Sequence, residues 1–104
     1  MNDSLTVADR LDIHERIASL AWALDTADVA GFVDCFTRDG ELEWDAFDAP
    51  LRWKGADALR RFIEGLRDLP ASAGRQHLVT NVRVRAADGG AAATAYVVVT
   101  LRQD

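Results

Sequence analysis

The sequence predicts an α+β fold, with about three helices in the N-terminal part of the chain packed on one face of a curved antiparallel sheet. Three observations carry this. Apolar residues recur at helical spacing in stretches around Ile13 to Leu24, Val29 to Phe36 and Leu59 to Leu66. Two long alternating stretches, Gln76 to Ala86 and Ala91 to Arg102, meet at Asp88-Gly89-Gly90, a hairpin turn sequence. The resulting order, helix, helix, strand, strand, helix, strand, strand, gathers helices early and an antiparallel sheet late.

In chain order, Thr6 with Asp9 three residues on forms an N-terminal cap, the shorter acid standing in for the usual Glu of a capping box. The helix it opens runs to about Thr26. Ile13, Ile17, Leu20 and Leu24 fall on one stripe at steps of four, three and four, and Ala18, Trp22 and Asp25 border it. Asp12, Glu15, Arg16 and Ser19 make the polar side, and His14 belongs to the helix flank. Asp25 therefore looks sideways into the fold, beside an indole. Thr26 or Asp28 caps a second helix carrying Val29, Phe32, Val33 and Phe36. Arg38-Asp39-Gly40 turns the chain into a half-buried strand, Glu41 to Ala46, with Leu42 and Trp44 inward. Pro50 interrupts, Leu51 to Trp53 reads as a short edge strand, and Lys54-Gly55 leads into the third helix. Leu59, Phe62, Ile63 and Leu66 are its buried stripe, Pro70 ends it, and Ala71 to Arg75 is loop.

At 104 residues the chain is expected to form one domain, residues 1–104, with a modest core. Lys and Arg number 12 against 17 Asp and Glu, which argues against nucleic acid as a partner, because phosphate contacts need a clustered positive field. Arg60, Arg61 and Arg67 read as a solvated outer helix face. Cys35 is the single cysteine, so no intrachain disulfide forms and nothing suggests an oxidising compartment. The start MNDSLTVADR has no apolar run of signal-peptide type and no stretch is long enough to span a bilayer, so a cytoplasmic location without a membrane partner is expected. The histidines, the cysteine and the scattered acids show none of the close spacings of zinc sites. Asp88-Gly89-Gly90 opens no helix and is no phosphate cradle, and no serine sits in a nucleophile-elbow sequence.

The pieces ALDTADVAGFVDCFTRDGELEW, WKGADALRRFIEGL and GRQHLVTNVRVRAADGGAAATAYVVV together resemble the SnoaL-like branch of the nuclear transport factor 2-like superfamily. The carrying features are Asp25 and Asp28 at the first helix junction, Phe36 before the acidic turn Asp39-Gly40, Gly55 and Leu59 at a helix start, and His77 with Asn81 early in a long strand. The resemblance implies a cone-shaped α+β barrel, open at one end, with a pocket between the curved sheet and the first helix. Its members include dehydratases, polyketide cyclases, isomerases and non-catalytic domains, so the fold alone does not name the reaction. In scytalone-dehydratase-like members a helix-one aspartate and a strand histidine line the pocket. Asp25 and His77 match those positions. Two departures stand out: Ala23 and Leu24 flank Asp25 where the dehydratases set tyrosines, and the sequence stops at Leu101-Arg102-Gln103-Asp104 where members usually add two strands. The open sheet edge this leaves is expected to be covered by a second copy, in a homodimer.

The chemistry of the pair follows from the side chains themselves. An aspartate bonded to one imidazole nitrogen fixes the tautomer in which the other accepts a proton. In an apolar pocket such a pair removes a proton beside a carbonyl and returns it to a leaving hydroxyl, which describes a cofactor-independent lyase or isomerase. Tyr96, the only tyrosine, is the candidate to polarise the substrate oxygen. Trp22, Phe36, Trp44, Trp53 and Phe62 are the candidates to line a pocket for an apolar, ring-containing ligand. The alternatives are that Asp25 caps the next helix or pairs with an arginine, that His77 is a hydrogen-bonded structural residue, and that Asn81 serves nearby backbone groups. The chain is then a ligand-binding or assembly module of the same fold.

Overall fold

The structure is a computed structural model that describes residues 4–46, 48–69 and 74–101. Its elements are α1 (Val7–Thr26), α2 (Val29–Asp34), β1 (Glu41–Trp44), β2 (Leu51–Lys54), α3 (Ala56–Arg67), β3 (Gln76–Ala87) and β4 (Gly90–Thr100). The α+β class is as the sequence predicts. The single curved sheet is instead two antiparallel hairpins, β1–β2 and β3–β4, each bonded to no further strand among the described residues. The expected stop at Pro70, most of the loop after it, and Arg102, the expected last residue of the final strand, lie outside the described residues.

Local chemistry explains the element ends. The Asp9 N–H donates to Thr6 Oγ1 at 3.0 Å and the Thr6 N–H to Asp9 Oδ2 at 2.9 Å, a reciprocal capping box that satisfies two otherwise orphaned donors. Ala27, in the left-handed region at φ 52°, ends α1, and Asp28 rather than Thr26 caps α2 by accepting from the Gly31 N–H at 3.0 Å. The Thr26 hydroxyl donates back to the Trp22 carbonyl instead. Gly40 is demanded by packing, since a Cβ there would stand 2.7 Å from the Phe36 Cβ. Gly55 enters α3 at φ 86°, which only glycine adopts freely, and its carbonyl accepts from the Leu59 N–H at 3.0 Å. Asp88 and Gly89, at φ 48° and 77°, make the two-residue turn between β3 and β4.

The core lies at the helical end. Ala23 of α1, Phe32 of α2, and Leu59 and Ile63 of α3 are its buried residues, with Leu20, Leu24, Phe36, Leu42, Trp53 and Phe62 packed around them. Phe62 sits between Phe32, with ring centroids 5.7 Å apart, and Trp53, at 4.7 Å and nearly edge-on. The β3–β4 hairpin projects from this end as a long arm, so the molecule measures 51 × 30 × 27 Å. Its radius of gyration is 14.9 Å, against about 13 Å for a compact chain of this length. No helix of the described residues is long and apolar enough to cross a membrane.

The arm leans on α1 mainly through β3, and the two run antiparallel. Arg10 Nη1 donates to the Val84 carbonyl at 3.0 Å near one end, and the Asp25 carboxylate accepts from the His77 N–H at 3.0 and 3.1 Å near the other. The spans match: the stretch of helix between Arg10 and Asp25 rises about 22 Å at its usual pitch. The stretch of strand between His77 and Val84 covers about 23 Å. Between these ties β3 carries a bulge. Pairing jumps from Thr80↔Tyr96 to Arg83↔Thr94, so that Asn81, at φ 57°, and Val82 together oppose Ala95. His77 and Val79 are half-buried before the bulge and Val82, Val84 and Ala86 after it. The side-chain alternation thus changes phase at Asn81, and both halves of the strand turn their apolar side to α1.

Candidate functional site

Where α1 ends and β3 begins, two side chains meet. His77 Nδ1 lies 2.6 Å from Asp25 Oδ1, and the same carboxylate holds the His77 backbone N–H. Both side chains are largely withdrawn from water, 15% exposed for His77 and 18% for Asp25. When Asp25 is ionised it only accepts, so a neutral His77 gives the Nδ1–H to this contact and keeps its lone pair on Nε2. The sequence pairs these residues through their side chains. The grip of Asp25 on the His77 main chain is additional, and it has a separate cause: β3 is an edge strand on this side, and its N–H needs an acceptor.

His77 stands in the wall between two hollows. An outer groove of about 500 Å³ runs along α1 and the start of β3, past Trp22, Asp25 and Leu78. An inner hollow of about 630 Å³, open on one side, is lined by Leu20, Leu24, Phe36, Leu42, Trp44 and Phe62, with Val99 from β4. Asp25 borders the outer groove, whereas His77 borders both. Nδ1 is spent on Asp25, and His77 borders the inner, mostly apolar space as well as the outer groove.

The remaining sequence candidates divide. Phe36, Phe62 and Trp44 line the inner hollow as expected, although Trp44 is 45% exposed and stands at its mouth rather than facing fully inward. Trp22 lines the outer groove and is 70% exposed. Trp53 borders neither hollow, because it packs on Phe62 as part of the core. Tyr96 is not brought to the pair. It stands opposite Thr80 on the face of the hairpin turned away from α1, is 69% exposed, and borders a separate hollow beside the Asn81 bulge. Strand alternation is the reason: Val97 and Val99 pair with Val79 and His77 on the helix side, which puts Tyr96 on the other.

Arg75 is the residue that sequence reasoning passed over. It borders both hollows, as His77 does, and its Nε is buried without a hydrogen-bond partner. The signal was present, since a residue two before His77 in an extended chain falls on the same side. Arg60, Arg61 and Arg67 are exposed on α3, the solvated face read from the sequence, and there Arg60 pairs with Asp57 and Arg67 with Asp68. Among the described residues no group of three or more His, Cys, Asp or Glu is arranged to hold a metal ion.

Residues 5–104 match the family described as the SnoaL-like domain. The chain belongs to this family. Solved structures agree with the assignment. A protein of unknown function with a cystatin-like fold from Nostoc punctiforme is 28% identical with a TM-score of 0.80, covering 96% of this chain and 71% of that one. A nuclear transport factor 2-like protein from Novosphingobium aromaticivorans is 27% identical with a TM-score of 0.76, covering 89% of this chain and 59% of that one. A protein of unknown function from Mycobacterium tuberculosis is 28% identical with a TM-score of 0.77, over 92% and 56% respectively. The chain therefore spans between 56 and 71% of the length of these three structures. No curated protein matches it.

Proposed function

We propose that this SnoaL-like chain is a small lyase or isomerase that moves a proton on an apolar, ring-containing substrate, with His77 as the base and Asp25 as the residue that orients it. The observation that carries the reading is the 2.6 Å contact between Asp25 and His77 at the wall of a mostly apolar hollow. In the proposed step Nε2 takes a proton from the carbon beside a substrate carbonyl, and the C–H electron pair moves into an enolate. The imidazolium, stabilised by the Asp25 carboxylate, then returns that proton. Delivered to another carbon it gives an isomer; delivered to a leaving hydroxyl it gives an alkene and water.

The experiment uses tetralone, a bicyclic ketone, in heavy water, with exchange of its acidic C–H followed by proton resonance. His77→Gln is expected to slow protein-dependent exchange by about 10²–10⁴-fold while the melting temperature stays nearly unchanged. Absence of exchange above buffer with the unaltered protein, or equal exchange with the variant, would remove the proposal. A second reading has its own support: the Asp25 carboxylate also accepts from the His77 main chain, so the pair ties α1 to β3 in a ligand-binding module that does no chemistry. Under that reading neither the unaltered protein nor His77→Gln exchanges tetralone protons above buffer, and Asp25→Ala loosens the start of β3.

A further inference from the structure

We propose that Arg75 is the anion-recognition residue of the inner hollow, and that the ligand is an apolar ring compound bearing one anionic oxygen, from a carboxylate or from an acidic enol or phenol. The inference rests on the hollow being the ligand site. It extends that reading by naming what the ligand must carry.

A guanidinium stays charged at every working pH and presents a rigid fork of donors. Burying any of those donors without an acceptor is costly, so a native structure that does so is short of a partner. Arg75 is in that position: its Nε is buried and unbonded, and it makes no ion pair among the described residues. The carboxylates that could have served are otherwise placed. Both Asp25 oxygens are occupied by His77. Glu43, which also borders the hollow, is held by Arg52 Nη2 at 3.3 Å. Asp45, the other acid on the wall, is exposed and forms no ion pair with Arg75. The rest of the wall near the helices is hydrocarbon and aromatic, which suits a ring and offers an anion nothing. An oxygen anchored on Arg75 and a ring among Phe36, Phe62 and Trp44 would satisfy both halves of this wall. It would also put the negative charge of a forming enolate beside a fixed cation, the task for which Tyr96 proved to be misplaced.

The test measures binding by calorimetry at neutral pH with three probes of one shape: naphthoate, an ionised hydroxynaphthoquinone, and the neutral naphthylmethanol. The unaltered protein is expected to bind at least one anion about ten-fold more tightly than the neutral probe. Whichever anion is preferred identifies the source of the oxygen. Arg75→Gln should erase the preference while leaving the neutral probe unaffected, and Arg75→Lys, which keeps the charge but not the fork, should retain part of it. Melting curves of both variants establish that they are folded. Equal affinity for all three probes, no binding of any, or a uniform loss in Arg75→Gln would overturn the inference. The two proposals fail separately: an anion preference without tetralone exchange keeps Arg75 in its role and ends the proton-transfer reading, and exchange without the preference does the reverse.

Discussion

The helical end and the β3–β4 arm of this protein are built on different terms. Every buried residue of the core, Ala23, Phe32, Leu59 and Ile63, belongs to a helix. The arm contributes none among the described residues. Strand β3 is half-buried on the side that meets α1, while β4 is exposed at all but one position, with Tyr96, Val97, Val98 and Val99 open on both of its faces. The difference teaches where stability and chemistry reside. Asp25 stands on the firmly packed part, while His77 and Arg75 come from the lightly packed one. The candidate site is thus a contact across a seam, and its geometry depends on how the arm is tied down.

Substitutions at three positions break or sharpen this contrast. Phe32→Ala should cost about 3–5 kcal/mol in urea unfolding, because the ring is fully buried between Phe36 and Phe62 and nothing nearby can close the gap. That is a large part of the ~5–15 kcal/mol that holds a domain of this size together. A cost below 1 kcal/mol would relocate the core.

Asp25→Ala should cost about 1.5–3 kcal/mol, through loss of charge-assisted bonds to the His77 N–H and ring. Asp25→Asn keeps an acceptor for the main chain and should cost less. Amide hydrogen exchange locates the effect: protection at the start of β3 is expected to fall while that of Phe32 is kept. A uniform fall at both would mean that arm and core open as one unit. Val98→Ala should change stability by no more than about 0.5 kcal/mol, as expected of an exposed side chain. A loss comparable with that of Phe32→Ala would show that this face is covered in solution, as the homodimer expected from the sequence requires.

Much of the fold was legible because its signals are local. The Thr6–Asp9 cap, the stripes of α1 and α3, and the Asp88-Gly89 turn each specify themselves within a few residues. The Asp25–His77 contact joins residues distant in sequence, and only the family resemblance brought them together. What stayed hidden depended on phase and on pairing. Tyr96 looked suitable as a donor until the hairpin register put it on the other face. Arg75 looked like loop, because no composition or spacing reveals that its Nε is buried without an acceptor. Asn81 was read as serving neighbouring backbone, yet its own left-handed backbone is what matters, and an uninterrupted alternation was assumed through it.

The bulge at Asn81 carries one more implication, for how this strand can tolerate changes of length. An ordinary ladder repeats every two residues, and the extra residue at Asn81 converts an odd offset between His77 and Val84 into a shared orientation. Deleting Asn81 would make that offset even and keep both side chains on the α1 side of a regular ladder, whereas adding or removing one residue elsewhere between His77 and Val84, with the bulge kept, would turn the imidazole away from Asp25. A single-residue change of length between His77 and Val84 is therefore compatible with the seam only where it removes the bulge itself.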